Sequence, residues 1–241
     1  MIRDLRGALQ FLTIVPAGKS DILPGRAAWC FPIVGAMLGL AAAGVYWLAG
    51  HVFPPSAAAV LALLLLVVAT GGLHEDGLAD VADAVRSHRS RERILAILHD
   101  SRIGAHGGVA IGLSLLARWV ALAELQDYFL LALPVALALS RSVLVLLAYW
   151  SDPAGEGMGK AFRSALTCGA AVAVSVEALA ISSLAGWRGA LLLMAVNLSV
   201  VACARAYFHR RIGGVTGDCL GAACQVAETA SLFVFLCGNC I

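Results

Sequence analysis

Long stretches without a charged residue limit most strongly what this chain can fold into. Residues 31–50 and 52–73 contain no Asp, Glu, Lys or Arg. A helix needs about 20 mainly apolar residues to cross a bilayer. The whole chain is 61% hydrophobic and 13% charged, whereas soluble proteins have about 25% charged residues. The sequence therefore predicts a membrane protein rather than a large soluble helical one.

Seven segments qualify as candidate spans, and the last is the weakest because Gln225 and Glu228 interrupt it. All are predicted to be helices, since lipid offers no hydrogen-bond partner to an open backbone. We predict an all-α, polytopic fold with about six or seven transmembrane helices in one integral-membrane domain, residues 1–241. The candidate spans are residues 31–50, 56–73, 107–125, 128–150, 168–186, 189–208 and 219–240.

The distribution of basic residues predicts the orientation of these spans in the membrane. Connections that carry several Lys or Arg alternate with connections that carry one or none, and the basic ones stay in the cytoplasm. This predicts a cytoplasmic N-terminus and cytoplasmic active-site loops at about 74–106, 151–167 and 209–218; the side of the C-terminus stays open. Every polar cluster of the chain falls in these loops. The main bases are Arg3, Arg6, Lys19, Arg26, Arg86, Arg89, Arg91, Arg93, Arg102, Lys160, Arg163, Arg210 and Arg211.

The acidic run at residues 74–83 is the clearest chemical signal. Asp76, Asp80 and Asp83 fall on one face of a helix with 3.6 residues per turn. At about 5 Å and an effective dielectric constant of about 20, two carboxylates repel each other by about 3 kcal/mol. A divalent cation would relieve this repulsion, and oxygen ligands favour Mg²⁺ or Mn²⁺ over Zn²⁺. The pattern predicts a metal site; the alternative is a solvated acidic helix start.

Further polar groups lie beside this run. His74 and Glu75 are either groups that assist the site or plain surface residues. Arg102, next to Ser101 and a glycine-rich helix start, is typical of an anion site, and its alternative is a basic anchor at the membrane interface. Asp218 either completes the metal site or caps a helix. The glycine-rich segment 152–163 is either a flexible substrate loop or a connector.

Several charges lie inside the candidate spans. An unpaired charge there costs about 2.5–3.5 kcal/mol, so these side chains are predicted to face protein or water. Arg141 is expected to pair with Glu177, and the alternative for Arg118 and Arg205 is that their side chains reach towards the interface.

In these motifs the chain resembles the cobalamin synthase family, whose members are adenosylcobinamide-GDP ribazoletransferases. The resemblance runs nearly from end to end. Two positions depart from the family pattern: Glu75 stands where an apolar residue is expected, and residues 155–157 fit loosely, which leaves Lys160 and Arg163 open as substrate contacts. The motifs are FLTIVP at 11–16, FPIVG at 31–35, HEDGLAD at 74–80 with Asp83, DSRIG at 100–104, GGVTGD at 213–218 and LGA at 220–222.

The resemblance implies a Mg²⁺-dependent transferase of the bacterial cytoplasmic (inner) membrane. Adenosylcobinamide-GDP and α-ribazole, or its 5′-phosphate, would be the substrates. Asp83 would be the proton acceptor, and Arg102 and Arg211 would bind the pyrophosphate. The implied metal and catalytic residues are Asp76, Asp80, Asp83 and Asp218. The implied substrate-binding residues are His74, Asp100, Ser101, Arg102, Arg211, Gly217 and Glu228.

Other interpretations fit the residues less well. A CDP-alcohol phosphatidyltransferase would carry Arg after Ala79, where this chain has Asp80, and Asp83 comes too early for its motif. A polyprenyl transferase would need a second aspartate-rich helix. An ion-coupled transporter would place acids near the midplane, often within internal repeats. Nucleic-acid binding is not expected, since the arginines at 86–93 lack interleaved aromatic residues. Besides the substrates, the lipid bilayer is the expected partner, and self-association stays open.

Overall fold

The computed structural model describes residues 1–18, 22–85, 90–100, 102–125 and 128–237. These residues form 11 α-helices and a 3₁₀ turn at Ala28–Cys30, which confirms the all-α prediction. Lys19, Arg86, Arg89 and Ser101 lie outside the described residues. The helices are α1 (Ile2–Leu12), α2 (Phe31–Gly50), α3 (Pro55–Thr70), α4 (Leu73–Ala84), α5 (Arg91–Leu98), α6 (Ala105–Glu124), α7 (Phe129–Tyr149), α8 (Met158–Ala165), α9 (Cys168–Ser183), α10 (Gly186–Ile212) and α11 (Gly217–Phe235).

Four helices are long and apolar enough to cross a membrane: α2, α6, α7 and α10. Two bent pairs, α3 with α4 and α8 with α9, raise the number to six if each pair counts as one span. The polytopic prediction is confirmed, with four to six candidate spans. Helix α11, on the weakest predicted span, is not among them in the described part of the chain.

Helix α7 forms the centre of the bundle. Nearly all of its side chains are buried, and it packs most extensively against α2 and α11. Gly35 and Gly39 of α2 allow the closest approach, since a Cβ atom at either would collide with the α7 backbone near Leu137 or Pro134. Small residues one turn apart are typical of tight helix contacts in membranes.

Helix α11 is surrounded by protein rather than by lipid. It packs against α7, α4, α10 and α6, and most of its side chains are buried. This position explains how a helix with Gln225 and Glu228 can lie inside the bundle, because protein groups can satisfy polar atoms that lipid cannot.

The connections predicted to share one side of the membrane contact each other at one end of the bundle. Val215 pairs with the 152–154 segment, donating to Asp152 O at 2.8 Å and accepting from Ala154 N at 3.0 Å. Arg91 joins both connections, with Nε donating to Ile212 O at 2.7 Å and a second guanidinium nitrogen donating to Ala154 O at 3.2 Å. The polar segments therefore form one continuous surface.

Candidate active site

Two consecutive glycines turn the chain between α3 and α4. Gly71 and Gly72 have φ angles of 62° and 71°, left-handed values that glycine adopts at little cost. Helix α4 leaves the turn at 86° to α3. Because α4 has 12 residues, its length of about 18 Å is well short of the hydrocarbon core of about 30 Å. The bend therefore places the acidic helix across the end of the bundle rather than through it.

The acidic face of α4 meets the beginning of α11. A Cβ atom at Gly77 would lie only 2.9 Å from the carbonyl oxygen of Asp218, so glycine is required for this approach. Burial and, after it, the nearby charges of Asp76, Asp218 and Asp83 together raise the pKa of Asp80 to about 6. The structure thus brings together the four aspartates that the sequence analysis selected.

These four carboxylates do not form a finished metal cage. Within the described residues, no group of three or more His, Cys, Asp or Glu has an arrangement that could hold a metal ion. Their chemistry nevertheless fits Mg²⁺, which is usually held by one or two carboxylates together with water and substrate phosphates. An ion that is coordinated partly by substrate does not require a complete set of protein ligands in advance.

Asp83 also anchors the start of α6. Its Oδ2 accepts a hydrogen bond of 2.7 Å from the backbone N–H of Gly104, the N-cap residue. A Cβ atom at Gly104 or Gly107 would collide with the Asp83 carboxylate. The glycines of the 104–108 motif therefore make room for a carboxylate from another helix.

Thr216, not Asp218, caps α11. Its Oγ1 accepts from the backbone N–H of Cys219 at 3.4 Å and donates to Asp218 Oδ2 at 3.2 Å. Capping by Asp218, one alternative from the sequence, is therefore wrong, and its carboxylate belongs to the acidic cluster. His99, which the sequence analysis did not select, lies near enough for its charge to lower the pKa of Asp218 slightly against the larger effect of burial.

The predicted anion-binding residues are only partly assembled. Arg102 is exposed and forms a two-point ion pair with Asp100, with nitrogen–oxygen distances of 2.9 and 2.7 Å. This pair holds the pKa of Asp100 down at about 2. Arg211 lies in the last turn of α10, and Gly217 begins α11.

Helix α8 lies over the start of α11. A Cβ atom at Gly159 would be 2.8 Å from the backbone nitrogen of Gly217. Lys160 is held by Glu156 at 2.5 Å, and the Arg163 guanidinium lies 5.3 Å from the centre of the Tyr149 ring. The segment read as either a substrate loop or a connector is thus partly helical and packed against the candidate site.

A separate network of opposite charges lies below the aspartates, inside the bundle. Arg118 of α6 is 1% exposed and contacts Glu75 of α4 at 2.8 Å and Glu228 of α11 at 3.1 Å. Arg141 of α7 contacts the second oxygen of Glu228. The network joins four helices, and its formal charges sum to zero.

This network corrects several expectations. Arg141 pairs with Glu228 rather than with Glu177. Arg118 faces protein as predicted, and the alternative that it reaches towards the interface is wrong. A surface role for His74 or Glu75 is also wrong, because both side chains are buried. Glu228, one of the residues implied in substrate binding, has each oxygen engaged by an arginine. Hydropathy indicates that such charges need partners, but it does not indicate which helices are neighbours.

Two cavities border Asp76. One is small, about 100 Å³, and extends to Asp218; the other is open, about 670 Å³, and extends to Glu75. Most residues that line them were not predicted from the sequence, because they come from helices far apart in the chain. The smaller cavity includes Phe11, Leu144, Met158 and Phe162, and the larger includes Gln10, Thr13, Thr70 and Ile111.

An all-α bundle with several candidate membrane spans and a carboxylate cluster at one end defines a polytopic membrane protein with an acidic candidate site. The chain belongs to the cobalamin-5-phosphate synthase family, whose model matches residues 4–236. This match favours the family resemblance over the phosphatidyltransferase, polyprenyl transferase and transporter interpretations.

Relatives from distant bacteria agree with this placement. Proteins named adenosylcobinamide-GDP ribazoletransferase are 38% identical in Bradyrhizobium diazoefficiens and 40% identical in Mesorhizobium japonicum, each covering 97% of this chain and 93% of the relative. The relative of the same name from Clostridium acetobutylicum is 36% identical over 92% of this chain and 90% of its own length. No solved structure matches the chain.

Proposed function

We propose that this chain is an adenosylcobinamide-GDP ribazoletransferase. It joins adenosylcobinamide-GDP to α-ribazole, or to α-ribazole 5′-phosphate, and releases GMP. The names of its relatives support this reaction, and their similarity extends over nearly the full chain. The gathering of Asp76, Asp80, Asp83 and Asp218 at one end of the bundle is the structural observation that carries the proposal.

The reaction is a phosphoryl substitution. A ribose hydroxyl of α-ribazole attacks the phosphorus nearer the cobinamide, and a new oxygen–phosphorus bond forms. The bond from that phosphorus to the bridging oxygen breaks, and GMP leaves with the electron pair. The hydroxyl proton passes to a carboxylate of the cluster. Asp83 is the sequence-based choice, and its hydrogen bond from Gly104 fixes the position of that side chain.

Mg²⁺ is the proposed cofactor, held by Asp76, Asp80, Asp83 and Asp218 with substrate oxygens. When bound, it would neutralise charge on the pyrophosphate and the leaving GMP. The four aspartates supply hard oxygen ligands and crowded negative charge, which together attract a divalent cation. Without the cation, this charge would repel a phosphate.

Basic and polar groups around the cluster bind the rest of the substrates. Arg102 and Arg211 are proposed to bind the pyrophosphate. The ion pair between Asp100 and Arg102 is exposed, and solvent screening makes exposed pairs weak, so a phosphate can displace the carboxylate. His74, Ser101 and Gly217 complete the proposed substrate contacts, whereas Glu228 supports the helices from below.

The domain is proposed to span residues 1–241 within the bacterial cytoplasmic membrane, with its N-terminus and its acidic end facing the cytoplasm. The alternation of basic and base-free connections supports this orientation. Both substrates are polar, and they would reach the acidic end without crossing the bilayer.

Product analysis tests the proposed function. Purified protein is incubated with adenosylcobinamide-GDP, α-ribazole and Mg²⁺, and GMP release is followed together with corrinoid product. GMP is expected only when α-ribazole is present. Folded protein that releases no GMP, or releases it equally without α-ribazole, would contradict the assignment.

A further inference from the structure

The smaller cavity beside the aspartates is built differently from the rest of the site. It lies between α8 and the start of α11, with a volume of about 100 Å³, and Asp76 and Asp218 border it. Apart from these carboxylates and His74, its walls are glycines and apolar side chains. The apolar wall consists of Phe11, Leu73, Leu144, Met158, Phe162 and Leu220.

Aromatic rings form one wall of this cavity. Phe11 of α1 and Phe162 of α8 are stacked with centroids 5.8 Å apart and planes 8° from parallel. Phe31 of α2 stacks against both rings, at 5.6 and 5.4 Å. A wall of parallel rings favours a flat aromatic ligand, since offset stacking adds to simple burial.

One polar group in the wall is without a partner. His74 is 1% exposed, and its Nε2 atom has no hydrogen bond within the described part of the chain. A buried polar atom of this kind normally has a partner. Because an imidazole nitrogen can donate or accept according to its tautomer, a ring nitrogen of a bound ligand would satisfy it.

We infer that this cavity binds the heteroaromatic base of α-ribazole, which places the attached ribose beside Asp76 and Asp218. The inference rests on the proposed function. The corrin ring is far too large for the cavity, and guanine would leave several polar edge atoms facing the apolar wall. The benzimidazole base is flat and mostly apolar, and it carries one free ring nitrogen for His74.

The size of the cavity implies a movable edge. A cavity of about 150 Å³ encloses a benzene ring, so about 100 Å³ is too small for a fused bicyclic base. Met158 borders the cavity and is 69% exposed, and methionine side chains adapt readily. The base enters when Met158 moves aside.

Gly221 offers a mild way to fill the cavity. It lines the cavity from α11, and an added Cβ would meet its nearest neighbour, the Cα of His74, at 3.5 Å, an ordinary contact. The added methyl group lies against the α4 backbone at the wall of the cavity, near the Cα atoms of His74 and Gly77, so Gly221→Ala keeps the helix and narrows the cavity along this wall. Gly44→Ala in α2 is the matched control, because a Cβ there meets nothing within 4 Å.

The test measures KM for each substrate separately. Gly221→Ala is expected to raise the KM for α-ribazole about tenfold, the effect typical of one methyl group in a tight pocket, and to leave the KM for adenosylcobinamide-GDP unchanged. The riboside of plain imidazole, a smaller base, should be affected less than twofold. Met158→Ala should instead lower the KM for ribosides of larger bases. Gly44→Ala should match the unmodified protein.

The contrary outcomes distinguish a wrong assignment of the cavity from a wrong assignment of the reaction. A rise in KM for adenosylcobinamide-GDP would mean that the cavity holds the guanine, and no change in either KM would mean that it holds neither base; both results overturn the inference. Calorimetric titration with α-ribazole alone measures its binding to the protein independently of the reaction. Binding that Gly221→Ala weakens supports the cavity even if no GMP is released, whereas GMP release with unaltered α-ribazole binding in the variant leaves the reaction standing without this cavity.

Discussion

Two groups of charged residues lie one above the other in this protein, and they follow opposite rules. Asp76, Asp80, Asp83 and Asp218 bring like charges together at the end of the bundle. The network of Arg118 and Arg141 with Glu75 and Glu228, below them, balances opposite charges inside it. The first arrangement opposes folding, and the second supports it.

Helix α4 belongs to both groups, which shows how closely they are connected. Glu75 enters the buried network, and the next residue, Asp76, borders both cavities of the candidate site. Arg118 also holds Glu228 on α11, the helix that carries Asp218. The balanced network thus fixes the two helices whose aspartates repel each other, so contacts deeper in the bundle offset the cost of the acidic cluster.

The strongest test of this division removes carboxylates from the cluster. Asp76→Asn or Asp80→Asn is expected to lower kcat for GMP release by about 10³-fold or more, since electrostatic stabilisation of a transferring phosphoryl group is worth several kcal/mol. Unfolding in detergent should not become easier. Asp4→Asn in α1 is the control and should retain its rate. If either variant kept near-normal turnover in saturating Mg²⁺, the assignment of the metal to these aspartates would be wrong.

The buried network should respond in the opposite way. Arg118→Met leaves Glu75 without its arginine, and breaking a buried ion pair costs about 3–5 kcal/mol. We expect a large fall in the thermal midpoint of the purified protein. Arg188→Met provides the comparison, because Arg188 lies over the ring of Trp187 outside the network and should change stability by less than about 1 kcal/mol. Equal effects of the two substitutions would show that the network contributes little.

Mg²⁺ bound at the acidic cluster should stabilise the whole folded protein. An ion at 100 times its dissociation constant stabilises the folded state by about 2.7 kcal/mol, which corresponds to about 5–10 °C in the midpoint for a domain of this size. The unmodified protein should lose this increment when EDTA is added. The double variant Asp76→Asn/Asp80→Asn should show the same midpoint with and without Mg²⁺, and an undiminished response would place the ion elsewhere.

The smallest expected effect concerns pH without Mg²⁺. The pKa of Asp80 is about 6 in the folded protein against 3.8 for an ordinary aspartate, so the folded state binds the proton more tightly. Stability from this group is present below pH 3.8 and is lost as the pH rises to 6. At pH 7, Asp80→Asn should therefore be more stable than the parent by about 0.5–1 kcal/mol, with the difference vanishing near pH 4. A difference in the free energy of unfolding that stays constant from pH 4 to pH 7 would contradict this prediction.

Much of the fold could be predicted because a helix must be long and mainly apolar to cross lipid. The charge-free run 31–50 is α2 to the residue, and the run predicted at 107–125 is Ala105–Glu124. The acidic face was also predictable, since Asp76, Asp80 and Asp83 have the spacing of one helix face. Local rules of composition and periodicity are enough for such features.

Features that depend on which helices are neighbours could not be predicted. Arg141 was expected to pair with Glu177, but the packing of α7 against α11 brings it to Glu228 instead. The apolar cavity combines side chains from five helices, so no local pattern indicates it. One signal was present: Glu75, the charged residue at a position expected to be apolar, is the partner of Arg118.

The double glycine after Thr70 also affects the surrounding lipid. It ends α3 after 16 residues, an apolar length of about 24 Å, whereas the hydrocarbon core is about 30 Å thick. A short span is accommodated when the bilayer becomes locally thinner. The lipid surface next to Gly71 and Gly72 would then be depressed, which lets water and hydrophilic molecules come down to the aspartates.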